Sequence, residues 1–71
     1  MKPDSNQFPV WMRWLAQDAD GKWWAYEHEP HIAEVSWYEN EVGQSVFLEK
    51  TVTSEDWTKT LQKIGDKING L

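Results

Sequence analysis

Trp14-Leu15-Ala16-Gln17-Asp18-Ala19-Asp20-Gly21-Lys22-Trp23-Trp24-Ala25-Tyr26-Glu27 is the stretch that decides the fold. Two runs of alternating residues flank a tetrapeptide of turn formers. Asp18 and Asp20 can accept hydrogen bonds from nearby backbone N–H groups, and Gly21 can take the positive φ that the last turn position demands. A type I turn closed by a glycine bulge fits best, which makes the stretch a β-hairpin. Side chains alternate across a strand, so Val10, Met12, Trp14 and Ala16 share one face of the first strand and Trp11, Arg13, Leu15 and Gln17 the other. Lys22 to Glu29 divides in the same way, with Trp24, Tyr26 and His28 on one face and Trp23, Ala25, Glu27 and Glu29 on the other. Each strand therefore carries a tryptophan on each face. Pro30 cannot donate to a ladder and ends the second strand.

Beyond the hairpin, His31 to Tyr38 reads as an irregular crossing or a short strand anchored by Ile32, Val35 and Trp37. Glu39-Asn40-Glu41-Val42-Gly43 forms a second turn, and Gln44 to Val52 a further strand with Val46 and Leu48 opposed to Phe47. Trp57, Leu61, Ile64 and Ile68 then recur at spacings of four, three and four. That apolar stripe predicts a helix over 54–69. Thr53 or Ser54 would cap it, Glu55 and Asp56 would favour its positive N-terminus, and Asn69-Gly70 would stop it. The expected fold is α+β: a three- to four-stranded antiparallel sheet (hairpin 10–29, further strand 44–52) with one C-terminal helix packed across a face. Residues 1–8 read as a flexible arm and 9–71 as a single domain. The expected core is Trp14, Trp24, Tyr26 and Val46 against Leu48, Trp57, Leu61 and Ile64.

At 71 residues the chain has a thin core, and it has no cysteine with which to staple it. It has six tryptophans instead, each able to remove roughly 150–250 Å² from water when buried. No apolar run approaches the roughly 20 residues that span a bilayer. The polar start lacks the pattern of a signal peptide, so a cytoplasmic location is expected. A formal charge of −5 disfavours nucleic acid and anionic lipid and permits a basic partner.

One helix can cover only one side of a small sheet. With Trp14 and Trp24 turned to the helix, Trp11 and Trp23 are expected to face outward, with Trp37 or Tyr38, as a patch for a partner. The alternative is that the arm or the 30–43 segment folds over them. Six acids and no Lys or Arg lie between Glu27 and Glu49. Of these, Glu27, Glu29, Glu39 and Glu41 are the candidates to steer a basic surface toward the patch. His28 and His31 lie among carboxylates, but strand geometry separates them unless the chain turns at Pro30, so no metal site is expected. Without a cysteine nucleophile, a Ser-His-acid pattern or a phosphate loop, neither catalysis nor a cofactor is expected.

The quoted hairpin, together with Ser54-Glu55-Asp56-Trp57-Thr58-Lys59-Thr60-Leu61, resembles a group of small uncharacterised bacteriophage and prophage proteins over about two thirds of the chain. The resemblance implies a phage accessory protein inside a bacterial host that binds, and in some cases inhibits, a host or defence protein. Gly21, Trp23-Trp24, His28 and Trp37 also resemble a WW domain in order, although Trp24 and Trp37 stand too far apart and the closing proline is missing. That likeness implies a proline-peptide groove built on Trp24, Tyr26 and Trp37. A third expectation is self-association, with exposed tryptophans pairing two hairpins in a homodimer.

Overall fold

The computed structural model of the chain describes residues 2–64. The hairpin forms about the expected turn with shorter strands than expected: β1 is Trp14–Gln17 rather than 10–17 and β2 is Lys22–Tyr26 rather than 22–29, and Met12 packs with Leu15 and Trp23 instead of on the Trp14 face. They pair antiparallel with Trp14 opposite Tyr26 and Gln17 opposite Trp23. Asp18 N donates to Lys22 O at 2.9 Å and Gly21 N to Asp18 O at 3.0 Å, the pattern of a type I turn closed by a glycine bulge. Gly21 holds φ at 95°. A Cβ there would also collide with the Thr51 carbonyl oxygen. Gly21→Ala is expected to cost about 1–3 kcal/mol from the positive φ alone, with the collision added. Urea unfolding would show it as a lowered midpoint at unchanged slope, and an unmoved midpoint would contradict it.

Two further short strands, β3 (His31–Ile32) and β4 (Trp37–Tyr38), pair as a small separate hairpin. β5, Ser45–Lys50, runs antiparallel to β2 with a register shift at Trp23/Trp24. β6, Gln62–Lys63, pairs with the other edge of β1. The main sheet thus has the order β5-β2-β1-β6.

The helix expected over 54–69 does not form across 54–64, and its remainder lies outside the described residues. A single 3-10 turn at Trp57–Lys59 is capped by Asp56, whose side chain accepts from Thr58 N. The chain then straightens into β6, where Ile64 N donates to Arg13 O at 2.6 Å. An isolated helix of this length is marginal in water. A strand here satisfies backbone groups on the open edge of β1 that a helix would leave unpaired. The apolar stripe is also divided. Trp57 and Leu61 pack on the Trp24 face of the hairpin, while Ile64 packs on the Trp23 face. Among the described residues the only helical turns are 3-10, so the fold is all-β and not α+β. None of these is long and apolar enough to cross a membrane.

Both faces of the hairpin are covered, each by a different segment. On one, Met12, Leu15, Trp23 and Ala25 form a buried cluster with Phe8, Trp11, Leu48 and Ile64 against it. The N-terminal segment is docked here. Pro3 is buried, Lys2 Nζ donates to Gln62 Oε1 and Gln7 Nε2 donates to Glu49 Oε1. On the other face, Ala16, Tyr26 and Trp37 are buried beside Trp14, Trp24, Trp57 and Leu61. Trp37 meets Trp57 edge-on at 6.3 Å. Of the expected core, Val46 stands out as 40% exposed, because it lies on the edge strand β5.

Gln17 joins the two halves. It is fully buried, and its side chain bridges the hairpin to the segment after β5. Its Nε2 donates to Gly21 O at 3.2 Å, Thr51 Oγ1 at 3.3 Å and Val52 O at 3.1 Å. Its Oε1 accepts from Ser54 N at 3.0 Å and Ser54 Oγ at 2.6 Å. Its backbone oxygen accepts from the Trp37 indole at 2.9 Å, and its backbone N–H donates to Thr60 Oγ1 at 2.8 Å. Among the described residues no buried side-chain polar atom lacks a partner.

Candidate functional site

A cleft of about 450 Å³ opens on the Trp24 face of the hairpin, within the range that small ligands and single anchoring side chains occupy. Its aromatic lining is Trp24 and Tyr26 from β2 and Trp37 and Tyr38 from β4. Its acidic lining is Asp18 from the hairpin turn and Glu39 and Glu41 from the loop after β4. Val42, Gly43 and Ser45 complete one side.

The β3–β4 hairpin reaches this position because the first turn holds it. Trp37 N donates to Asp18 Oδ1 at 2.9 Å, and Ala19 N donates to Val35 O at 3.0 Å. The Trp37 indole, buried on Gln17 O, fixes the ring. The loop after β4 is held by His28. Glu39 Oε2 accepts from His28 N at 2.6 Å, and Glu41 Oε1 lies 3.3 Å from His28 Nδ1. A Cβ on Gly43 would press into the His28 ring, so the loop lies directly over that ring. Glu27 takes part from below, its Oε1 accepting from Gln44 N at 3.0 Å. Asp18 and Glu39 are thus positioned by hydrogen bonds, while Glu41 is exposed beside the His28 ring.

The electrostatics follow from this geometry. Burial pushes the Asp18 carboxyl above its ordinary value of 3.8, with the neighbouring Asp20 adding to the rise. The hydrogen bond from Trp37 N, the charge of Lys22 and the Trp24 indole oppose it. Burial also raises the Tyr26 phenol above its usual range, and the charges of Asp18 and Glu39 add to the rise. The Tyr26 hydroxyl therefore sits in the negative field of two carboxylates. A carboxyl whose folded value is raised binds its proton more tightly in the folded state. Its contribution to stability is therefore lost as pH rises from 3.8 through the folded value. Asp18→Asn keeps the acceptor for Trp37 N and removes the charge. It is expected to raise the melting temperature at pH 7, with the gain shrinking as pH falls toward 3.8. Melting curves across pH check this, and a lowered melting temperature at pH 7 would contradict it.

The eight residues expected to bind a partner separate in the structure. Trp37, Tyr38, Glu39 and Glu41 converge on the cleft. Trp11 and Trp23 lie on the opposite face, and there the expectation of an outward patch is corrected. Trp23 is only 3% exposed, and Trp11 is half-buried against the same cluster. The docked N-terminal segment, with Leu48 and Ile64, covers the face that a helix was expected to leave open. Glu27 and Glu29 do not line the cleft. Glu27 braces the loop and Glu29 is exposed. His28 and His31 diverge, His28 toward Glu41 and His31 toward the Tyr38 ring at 5.7 Å. Among the described residues no three His, Asp or Glu side chains are grouped to hold a metal.

Sequence reasoning missed Asp18 as a cleft residue, and named Trp24 and Tyr26, with Trp37, as a groove only under the WW-like alternative. Asp18 was fully accounted for as a turn former, and Trp24 and Tyr26 as core beneath a helix. The available signal was that two large aromatics share a strand face that only a short connection could cover. Comparisons with protein-family models, curated proteins and solved structures give no match.

Proposed function

We propose that this chain is a non-enzymatic binding protein that docks a basic surface of another protein against the acid-rimmed aromatic cleft. The observation that supports it is the convergence of four aromatic side chains with Asp18, Glu39 and Glu41 in one open concavity. Fixed aromatics give contact area at low entropic cost, and fixed acids steer a basic partner and fix its register. Val42, 99% exposed at the rim, adds an apolar contact beyond the charges. The resemblance to phage and prophage proteins supports reading the partner as a bacterial host protein, which docking would block or redirect.

Affinity capture from bacterial lysate tests the proposal when wild type is run beside two variants. Glu39→Gln with Glu41→Gln removes rim charge, and Glu34→Gln removes an exposed acid away from the cleft. A basic protein should be retained by wild type and Glu34→Gln and weakened several-fold by the rim variant, with the difference shrinking at higher salt. Capture that survives loss of both rim charges would overturn the proposal.

A further inference from the structure

From the cleft's geometry we infer that the partner's anchor is a single arginine, its guanidinium seated against the Trp24 and Tyr38 rings beside Asp18 and Glu39. The inference rests on the binding reading above and narrows it to one chemical group.

Three features select this occupant. The first is charge. The cleft lining carries Asp18, Glu39 and Glu41 and no Lys or Arg. Lys22 pairs with Asp20 at 3.8 Å and its charge also acts on Asp18, but it does not line the cleft. The second is shape. Half-buried Trp24 and exposed Tyr38 present rings to the cleft over the buried Tyr26 and Trp37, and a guanidinium is flat, weakly hydrated and stacks on such rings. An ammonium is a compact, strongly hydrated charge and would lose more water for the same contact. The third is the half-buried carboxylate of Asp18. One of its oxygens accepts from Trp37 N, which fixes the group in place. Its charge is costly where it stands, and the raised position of its proton affinity reflects that cost. A fork of N–H donors relieves it, whereas a quaternary ammonium has no N–H to offer. The volume of about 450 Å³ exceeds one guanidinium and leaves room for its aliphatic stem.

The test titrates full-length protein with three probes at equal ionic strength: Gly-Gly-Arg-Gly-Gly amide, the lysine counterpart, and tetramethylammonium chloride. Backbone and indole N–H shifts are followed by NMR. The arginine peptide is expected to bind roughly tenfold more tightly than the lysine peptide, with shifts centred on Trp24, Trp37 and Tyr38. Tetramethylammonium should be weaker than the arginine peptide. Asp18→Asn, which keeps the Trp37 contact, should lower arginine affinity roughly tenfold, and Trp24→Leu should do the same. Equal binding of arginine and lysine, tighter binding of tetramethylammonium, or arginine affinity unchanged in both variants would each overturn the inference. If the rim variant still releases the captured partner in that event, the arginine anchor falls and the binding reading stands. If no probe moves a cleft residue and capture survives the rim variant, both fall.

Discussion

Trp23→Ala is expected to unfold the domain. The indole is 3% exposed and packs with Met12, Leu15 and Ala25 at the centre of one cluster. Its Nε1 also donates to Thr51 Oγ1 at 2.8 Å, tying β2 to the chain that follows β5. Truncating a buried tryptophan to alanine costs about 3–5 kcal/mol. A domain of this size has a total stability of roughly 4–10 kcal/mol, so most or all of it would be lost. Circular dichroism should show either a lost thermal transition or one displaced far downward. A folded, thermally unshifted Trp23→Ala would mean that this ring is not core, and would return it to the surface as a candidate contact.

Gln17→Leu is the second large effect. Leucine has nearly the right volume but none of the five side-chain hydrogen bonds that Gln17 makes to Gly21, Thr51, Val52 and Ser54. Each buried group left without a partner costs about 1–3 kcal/mol. Gly21 O keeps Thr51 N, Thr51 Oγ1 keeps the Trp23 indole and Val52 O keeps Thr51 Oγ1, so the half-buried Ser54 N–H and hydroxyl lose their partner and a loss of about 1–3 kcal/mol is expected. Denaturant unfolding reads this directly. Gln17→Glu separates the contributions, since it keeps the acceptor for Ser54 but loses the donor and buries a charge. Both variants should be destabilised. Wild-type stability in Gln17→Leu would show that the bridge contributes nothing.

These two positions also show how far the fold could be read from the residues. The hairpin was legible because its determinants are local. Gly21 must supply a positive φ and Asp18 and Asp20 serve the turn, so the register of Trp14 with Tyr26 follows. The C-terminal segment was not legible. Trp57, Leu61 and Ile64 have helical spacing, and only the open edge of β1 turns the chain after Thr60 into a strand. That edge becomes visible only once the sheet order is known. Gln17 gives no hint of its role either, because its five partners come from the turn and from residues 51–54. For the site, the acids and aromatics of 37–41 were identifiable from composition. Their junction with Asp18 and Trp24 depends on the hydrogen bond from Trp37 N to Asp18, a contact across 19 positions of sequence.

The premise that one face of the hairpin stays free for a partner needs revising. Both faces are used: the Trp23 face is closed by the N-terminal segment, Leu48 and Ile64, and the Trp24 face is closed except at the cleft. Function is accordingly proposed for the seam between the hairpin and the 36–45 segment, and not for an open tryptophan plane.

The most direct measurement follows the indole N–H signals of the six tryptophans while an oligo-arginine peptide is added. The account predicts that Trp24 and Trp37 shift and saturate together while Trp11 and Trp23 stay in place. Shifts confined to Trp11 and Trp23, or none at Trp24 and Trp37, would contradict it.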